Sequence, residues 1–559
     1  MLSVTTVSDA VTISWTHAAR CCNLLIFMSF PKALLLVSLI SLSACSGKRN
    51  GHGDDSSVPA DSTADVETVM THLTPLPDTT CASVADVTYK IEYADTLGEK
   101  AISSLSDLYA DAPGHFTFRN GLFRDASFGG EVKGTPTDIV VDWEFSTGYD
   151  TRETSVGTWG GGTGWTGQPL YVEWPDSMMT RFRSAGAVNE NFGKKEIMVG
   201  SLASKVYFIN FDNGKASREP IPVSNPVKGT ISLDPTLNGN LYVGLGAPAE
   251  RPFGSRVIDL FAGKVTYVHK DDPKAQRHWD AYDSSPLRVG QYLFWPGENG
   301  TIYKFLIGPG SLRLHSALRY TVGGAAPGIE NSISVYRNYG FVGDNHGNIL
   351  CINLSNMKPV WMYRLDDDID ATTVVTVEDG HPYIYASCEV DRQVNGDARF
   401  VKLDALNGTE IWLTKIHARR FDIGKKHFDG GYYASPLPGN GDCADLIFSN
   451  VVLNERTDSA SQRQNGQFIA LNRKDGSIAY RTNLRYYAWS SPVGFLNEQG
   501  KEYVLTADCS GNVYLIDGKS GEIITRKPVG ANFESSPVVI GNSVVVGSRG
   551  DKIYRLSVR

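Results

Sequence analysis

The chain is poor in cysteine, and the few it has are not arranged for chemistry. Of 559 residues eight are cysteine, three of them (Cys21, Cys22 and Cys45) near the start. The other five, Cys81, Cys351, Cys388, Cys443 and Cys509, are scattered and odd in number, which excludes a disulfide framework and favours small buried hydrophobes. No CxxC pair exists for a thiolate zinc site and no CxxCH for haem attachment. Basic charge is also scarce. The formal net charge is -8, and no basic patch marks a phosphate-binding surface, so nucleic acid is not an expected partner. HExxH, GxSxG and the phosphate loop are missing. The apolar stretch at residues 33–40 falls short of the ~20 residues that a membrane helix needs.

That short stretch has a different meaning. Lys32 precedes it and Leu42-Ser43-Ala44-Cys45 follows it. A basic residue, a brief apolar core and small residues ending in cysteine resemble a bacterial lipoprotein signal. Cys45 is therefore the expected lipidation site, residues 1–45 the leader, and Met28 a plausible true start. Ser46 stands where an aspartate would suggest inner-membrane retention, which favours the outer membrane, facing the periplasm or the exterior. Residues 46–115 open polar and Gly/Ser/Asp-rich and are read as a flexible spacer with a poorly assigned end; within it 87–93 reads as a strand and 100–109 as a short helix.

Repeats dominate the rest. Glycine numbers 56, and tyrosine and phenylalanine 25 and 23, a composition of short strands and tight turns. One element joins a turn ending in glycine to an apolar strand: INFDNGKASR (209–218), IDLFAGKVTY (258–267), LDALNGTEIW (403–412), LNRKDGSIAY (471–480) and IDGKSGEIIT (516–525), with a weaker copy at 352–361. A second is a small-residue triplet opening a strand, with Ser-Ser-Pro at 284–286, 490–492 and 535–537, Ala-Ser-Pro at 434–436, and looser forms at 167–169, 230–232, 331–333 and 371–373. Eight triplets spaced 40 to 63 residues apart, each followed by short strands, describe an all-β, eight-bladed propeller of four-stranded antiparallel blades over residues 116–559. A parallel-strand solenoid would need a shorter, more regular period. The last unit lacks a fourth strand, and the orphan strand DIVVDWEFST (138–147) is expected to complete it and close the ring.

The turn-plus-strand element, best kept in LDALNGTEIW, resembles the tryptophan-docking repeat of quinoprotein (PQQ)-like eight-bladed propellers. That superfamily includes pyrroloquinoline-quinone dehydrogenases and the BamB-like lipoproteins of the outer-membrane assembly machinery. The resemblance implies the fold over 138–559 and leaves function open. Dehydrogenases of this kind resemble one another in a vicinal cysteine pair near the cofactor; the only adjacent pair here is Cys21-Cys22, in the leader. Neither the quinone nor calcium is therefore expected. Asp366-Asp367-Asp368 with Asp370 fails as a calcium loop because Ala371 and Val377 replace the required glycine and glutamate. Asn440-Gly441-Asp442 with Asp445 reads as a surface turn.

In a propeller the loop before each triplet crosses one face towards the channel. These loops carry the candidate binding residues His278, Asp280, Asp283, Glu330, Asp370, His427, Asp429, Tyr433, Trp489 and Glu534. Clustered carboxylates repel unless a cation or protonation intervenes, and aromatics beside them can hold a sugar or a cation. No catalytic residue is assigned, and no metal site. The expected protein is a non-catalytic, membrane-anchored, monomeric propeller that binds an envelope protein or a small polar ligand such as a glycan. The alternative is an envelope enzyme, sugar-active or dependent on the quinone and calcium, working at the acidic mouth.

Overall fold

A computed structural model describes residues 75–559 apart from 95–101, 103–104, 106, 127–128, 166, 424–425 and 456–463. Cys45, the leader and the first part of the spacer lie outside the described residues.

The body is a propeller of eight blades. Their innermost strands are Leu170–Glu173, Ser232–Leu233, Leu287–Val289, Ser334–Tyr336, Val374–Glu378, Leu437–Pro438, Val493–Asn497 and Val538–Ile540, here blades 1 to 8. Each blade is antiparallel along its four core strands. Ring closure occurs as the sequence suggests. Ile139–Ser146 pairs with Lys552–Val558 as the outer strand of blade 8, with Trp143 opposite Arg555 and Glu144 opposite Tyr554. Sealing the sheet with both chain ends leaves no open edge between first and last blades.

Both repeated elements have a physical role. The turn glycines sit at positive φ, and the aromatic ring of the preceding blade packs on them. A Cβ on Gly214, Gly408 or Gly476 would lie 2.7, 2.6 or 2.5 Å from the rings of Trp143, Trp361 or Trp412. Each indole N–H then donates to a carbonyl of the same turn, from Trp143 to Phe211 at 2.8 Å, Trp361 to Ala405 at 3.1 Å and Trp412 to Arg473 at 2.9 Å. The triplets supply hydroxyls rather than mere smallness. The backbone N–H of the central residue donates to the side-chain hydroxyl of the next blade's triplet: Ser285 to Ser332, Ser332 to Thr372, Thr372 to Ser435, Ser435 to Ser491 and Ser491 to Ser536, at 2.8 to 3.1 Å.

Two segments before the first blade pack against the ring. Val87–Tyr93 is a strand, as its sequence suggests, and pairs with Ser311–Val322 as a fifth strand on the outer edge of blade 3. Residues 114–126 and 129–132 enter the channel and between them touch all eight blades. Gly114–His115 pairs with blade 1 and Glu131–Val132 with blade 7. The carbonyls of Phe116, Leu122 and Phe123 accept from Leu233, Val335 and Val375 of blades 2, 4 and 5, and Glu131 N–H donates to Gly541 of blade 8. Arg119 donates to the Pro436 and Pro492 carbonyls at 2.6 and 3.3 Å, bridging blades 6 and 7. Arg124 donates to the Ser285 and Ile333 carbonyls, both at 2.9 Å, bridging blades 3 and 4. Both arginines are buried, and charged donors on backbone carbonyls are among the stronger hydrogen bonds. The channel is therefore plugged.

Candidate functional site

The loops before the triplets and the turns between second and third strands meet on one face of the ring, above the plug. Asp283, Glu330, Asp370, Tyr433, Trp489 and Glu534 each stand one residue before a triplet. The same loop of blade 2 carries Gly229, where a Cβ would lie 1.8 Å from the Asp283 carbonyl, so only glycine lets the two blades approach. Its blade 1 counterpart, Thr166, lies outside the described residues.

One side of the mouth is built round a lysine. Asp283, Glu298 and Glu330 bring carboxylate oxygens within 4.8 Å of one another. Lys228 Nζ is ion-paired to Asp283 and lies 4.0 Å from Glu330. It also faces the rings of Trp159 and Trp165 at 5.6 and 5.5 Å. Burial pulls the ammonium down, but Asp283, Glu298 and Glu330 outweigh it and hold its pKa above the ordinary lysine value. Burial in turn raises the acids: Asp283 despite Lys228, Glu298 further because of Glu330 and Asp283, and Glu330 to about 8. By donor chemistry these three carboxylates suit a hard divalent cation. The Lys228 ammonium already serves as their cation.

The other side has no ion pair among the described residues, and Lys228 bears there only on Asp370. Asp368, Asp370 and Glu389 gather beneath Tyr433, with Glu389 facing both Asp370 and the Tyr433 hydroxyl. Glu389 lies in the short strand Glu389–Val390, which pairs with Gly430–Gly431 and joins blade 5 to blade 6. Asp368 Oδ1, Asp370 Oδ1 and Glu389 Oε1 are buried without a hydrogen-bond partner. Burial pushes all three acids up, Asp370 to about 6 and the others well above the usual range. Above them the Tyr433 ring stacks on Trp489 at 4.6 Å and meets the edge of Trp165 at 6.4 Å. The indole N–H groups of Trp165 and Trp489 are also buried without partners. The hairpin Asp150–Thr154 and Gly157–Gly160 brings Trp159 to the rim, where Arg549 faces its ring at 5.4 Å.

The remaining candidates are placed differently. Asp280 is buried but accepts from Asn299 at 2.9 Å and from the Asp272 N–H, so it braces its own loop. Glu534 is paired with Asn532 and Arg549 at the rim. Asp429, raised to about 7 by burial and by Asp391, sits at the outer rim. His278 is exposed, and His427 is exposed and bonded to Asp422 at 2.7 Å, so the mouth does not gather them.

Sequence reasoning missed Lys228, Glu298, Glu389, Trp159 and Trp165. Only Glu298 left a repeat signal: it follows the second strand of blade 3 as Asp344 and Asp508 follow theirs in blades 4 and 7. Those aspartates cap their turns by accepting from Asn348 and Asn512. Asn299 takes over the turn in blade 3, donating its side chain to Asp280 and Tyr303, and the longer Glu298 is left for the mouth.

No family model matches the chain. A curated relative, the β-alanine-activating enzyme of Danio rerio, is 30% identical over 95 residues, which are 17% of this chain and 8% of that protein. Among solved structures, the quinohemoprotein alcohol dehydrogenase of Comamonas testosteroni is similar at TM-score 0.55 and 12% identity, over 80% of this chain and 82% of that one. A europium-containing methanol dehydrogenase is similar at TM-score 0.50 and 13% identity, over 80% and 99%. BamB from Moraxella catarrhalis aligns at TM-score 0.43 and 16% identity, over 65% and 93%. The first two likenesses show a shared eight-bladed fold.

Proposed function

We propose that the protein is a non-catalytic, ligand-binding propeller of the bacterial cell envelope, held to the outer membrane by a lipid on Cys45. The polar residues that follow Cys45 serve as its tether. The observation that carries the ligand-binding reading is the set of buried carboxylate oxygens and indole N–H groups left without partners at the channel mouth. An unsatisfied buried polar group costs about 1–3 kcal/mol, so several together point to groups that a ligand satisfies. They are buried, whereas a protein partner would need them on a broad exposed face. This favours a small polar ligand over a protein.

The fold it shares with quinone dehydrogenases does not extend to a fit for their cofactor. Pyrroloquinoline quinone is a tricarboxylate, and a mouth lined by six carboxyl groups with one lysine offers it little positive charge. The candidate histidines His278 and His427 are exposed and are not gathered into the mouth.

Two measurements test the reading. The full chain should partition with membranes, and Cys45→Ala should release it. Detergent-solubilised protein screened against small polar molecules and divalent cations should show thermal stabilisation by at least one of them. A screen without a stabiliser, together with a stoichiometric protein partner on purification, would overturn it.

A further inference from the structure

Outside the ring of acids, the same face carries a cleft of about 400 Å³ between blades 3 and 4. Small-molecule sites span ~300–1,000 Å³, so the cleft is large enough for one. Blade 3 contributes Val322, Gly323 and Ala325, blade 4 contributes His346 and Arg364, and Arg392 reaches in from the insertion of blade 5.

The lining charge is the reverse of the mouth's. Two guanidiniums and an imidazole face a single carboxylate, Asp366. Asp366 is already held by Arg399 at 2.9 Å. Arg364 pairs with Asp86 at 3.0 Å, but both side chains are at least half exposed, and such pairs are weak and exchange readily. Arg392 is the unanswered charge. It forms no ion pair among the described residues, and its guanidinium donates only to the Asp366 and Asn345 carbonyls, at 3.4 and 3.3 Å. Both lie beyond the usual ~2.7–3.2 Å, and a guanidinium has further N–H donors to spare. The His346 ring is half-buried and takes part in no hydrogen bond among the described residues. Burial lowers its pKa, Asp344 opposes this, and Arg392 and Arg277 add to the lowering, so the neutral ring keeps one N–H to donate.

From this cleft we infer a second binding site, for the oxyanion group, carboxylate or phosphate, of a small organic molecule. Its oxygens accept from Arg392, Arg364 and His346, and its carbon body lies along Val322, Gly323 and Ala325. The site is separate from the acidic mouth and stands whether or not the mouth is filled.

The planar guanidinium fork matches the oxygens of a carboxylate or phosphate. A cation would meet Arg364 and Arg392 with only Asp366, already paired, to hold it. A neutral sugar would leave the Arg392 charge unanswered. General attraction of anions to the protein is not the source, because the formal net charge is -8.

The test titrates full-length protein in detergent, at neutral pH and low salt, with phenyl phosphate, benzoate and benzylamine, read by calorimetry. The two anions should bind at least about tenfold more tightly than benzylamine, which carries a ring and the opposite charge. The tighter anion names the oxyanion. Arg392→Gln should weaken both about tenfold and leave the thermal midpoint unchanged, since only two long bonds to carbonyls are lost. Arg364→Gln should weaken them by a smaller factor, because Asp86 competes for that side chain. Arg526→Gln, which removes an exposed arginine from the outer strand of blade 7, should bind as the parent does. Benzylamine binding as tightly as the anions, neither anion binding at millimolar concentration, or Arg392→Gln and Arg526→Gln behaving alike would overturn the assignment.

Discussion

The two sides of the channel mouth bury similar carboxyl groups and deal with their charge differently. Around blades 3 and 4 the chain supplies its own cation, Lys228, which holds Asp283 and reaches Glu330. Around blades 5 and 6, Asp368, Asp370 and Glu389 have a tyrosine and two indoles for company; Lys228 bears only on Asp370 and forms no ion pair with it. On the first side Lys228 answers part of the charge and leaves Asp283 Oδ1 and Glu298 Oε1 without a hydrogen-bond partner. The second stays neutral only by keeping its protons, or by admitting a cation. A neutralised cluster is a structural joint between blades; one left short of a partner is where a ligand gains most, since its binding removes a penalty the folded protein otherwise carries.

Removing the built-in cation should break the contrast most strongly. Lys228→Met leaves three buried acids facing one another and should cost about 3–5 kcal/mol, read as a fall in the urea midpoint. It should also convert the self-filled side into a cation site, so millimolar calcium should restore stability to the variant and not to the parent. Replacing Asp283 and Glu330 together should also lower the midpoint. They are the partners of a buried ammonium, and stranding it is destabilising.

The next effect is on pH dependence. Burial holds Glu330 at about 8 and Asp370 at about 6 in the fold, while in the unfolded chain such carboxyls titrate near 4. Between those limits the native state binds more protons, so stability falls as pH rises across the window. The ligand-free protein should be most stable near pH ~5 and lose a few kcal/mol by pH ~8, the opposite of ordinary acid denaturation. A flat profile would mean that these acids are ionised and paired in the fold.

Sharpening the contrast takes one substitution on each side. Asp283→Asn should destabilise by about 2 kcal/mol, because Lys228 loses its nearest counter-charge. Glu389→Gln should be neutral, or stabilising by about 1 kcal/mol at pH ~8, because no cation depends on it. Opposite signs in chemical denaturation would confirm that one side is paired and the other is not.

The parts of this architecture that were legible in the sequence are those that repeat. The triplets and glycine turns recur because each blade must meet its neighbours in the same way, through a hydroxyl near the axis and a docked ring at the rim. The register of the triplet then placed Asp283, Glu330, Asp370, Tyr433, Trp489 and Glu534 at the mouth. What was not legible occurs once. Lys228 lies in a blade 2 loop with no charged counterpart at that position elsewhere, and Glu389 lies in an insertion between two strands of blade 5. The plug is the strongest case. Arg119 and Arg124 are held by carbonyls from distant blades, with separations of 161 to 373 residues, and no local pattern announces such contacts.

The smallest expected effect tests the border of both sides. His278 and His427 sit in loops that also lead to triplets, which is why the sequence offers them as ligands. Each stands several residues before its triplet, far enough back for the side chain to turn outward: His278 is exposed, and His427 lies on the hairpin of Phe421–Ile423 and Lys426–Phe428, bonded to Asp422. Exposed groups of this kind usually change stability by less than ~0.5 kcal/mol when removed. Alanine at either position should therefore leave the denaturation midpoint and ligand affinity at parental values. A loss of affinity in His427→Ala would extend the unpaired side of the mouth outward past Asp429, and the contrast would then separate inner from outer rim rather than one pair of blades from the next.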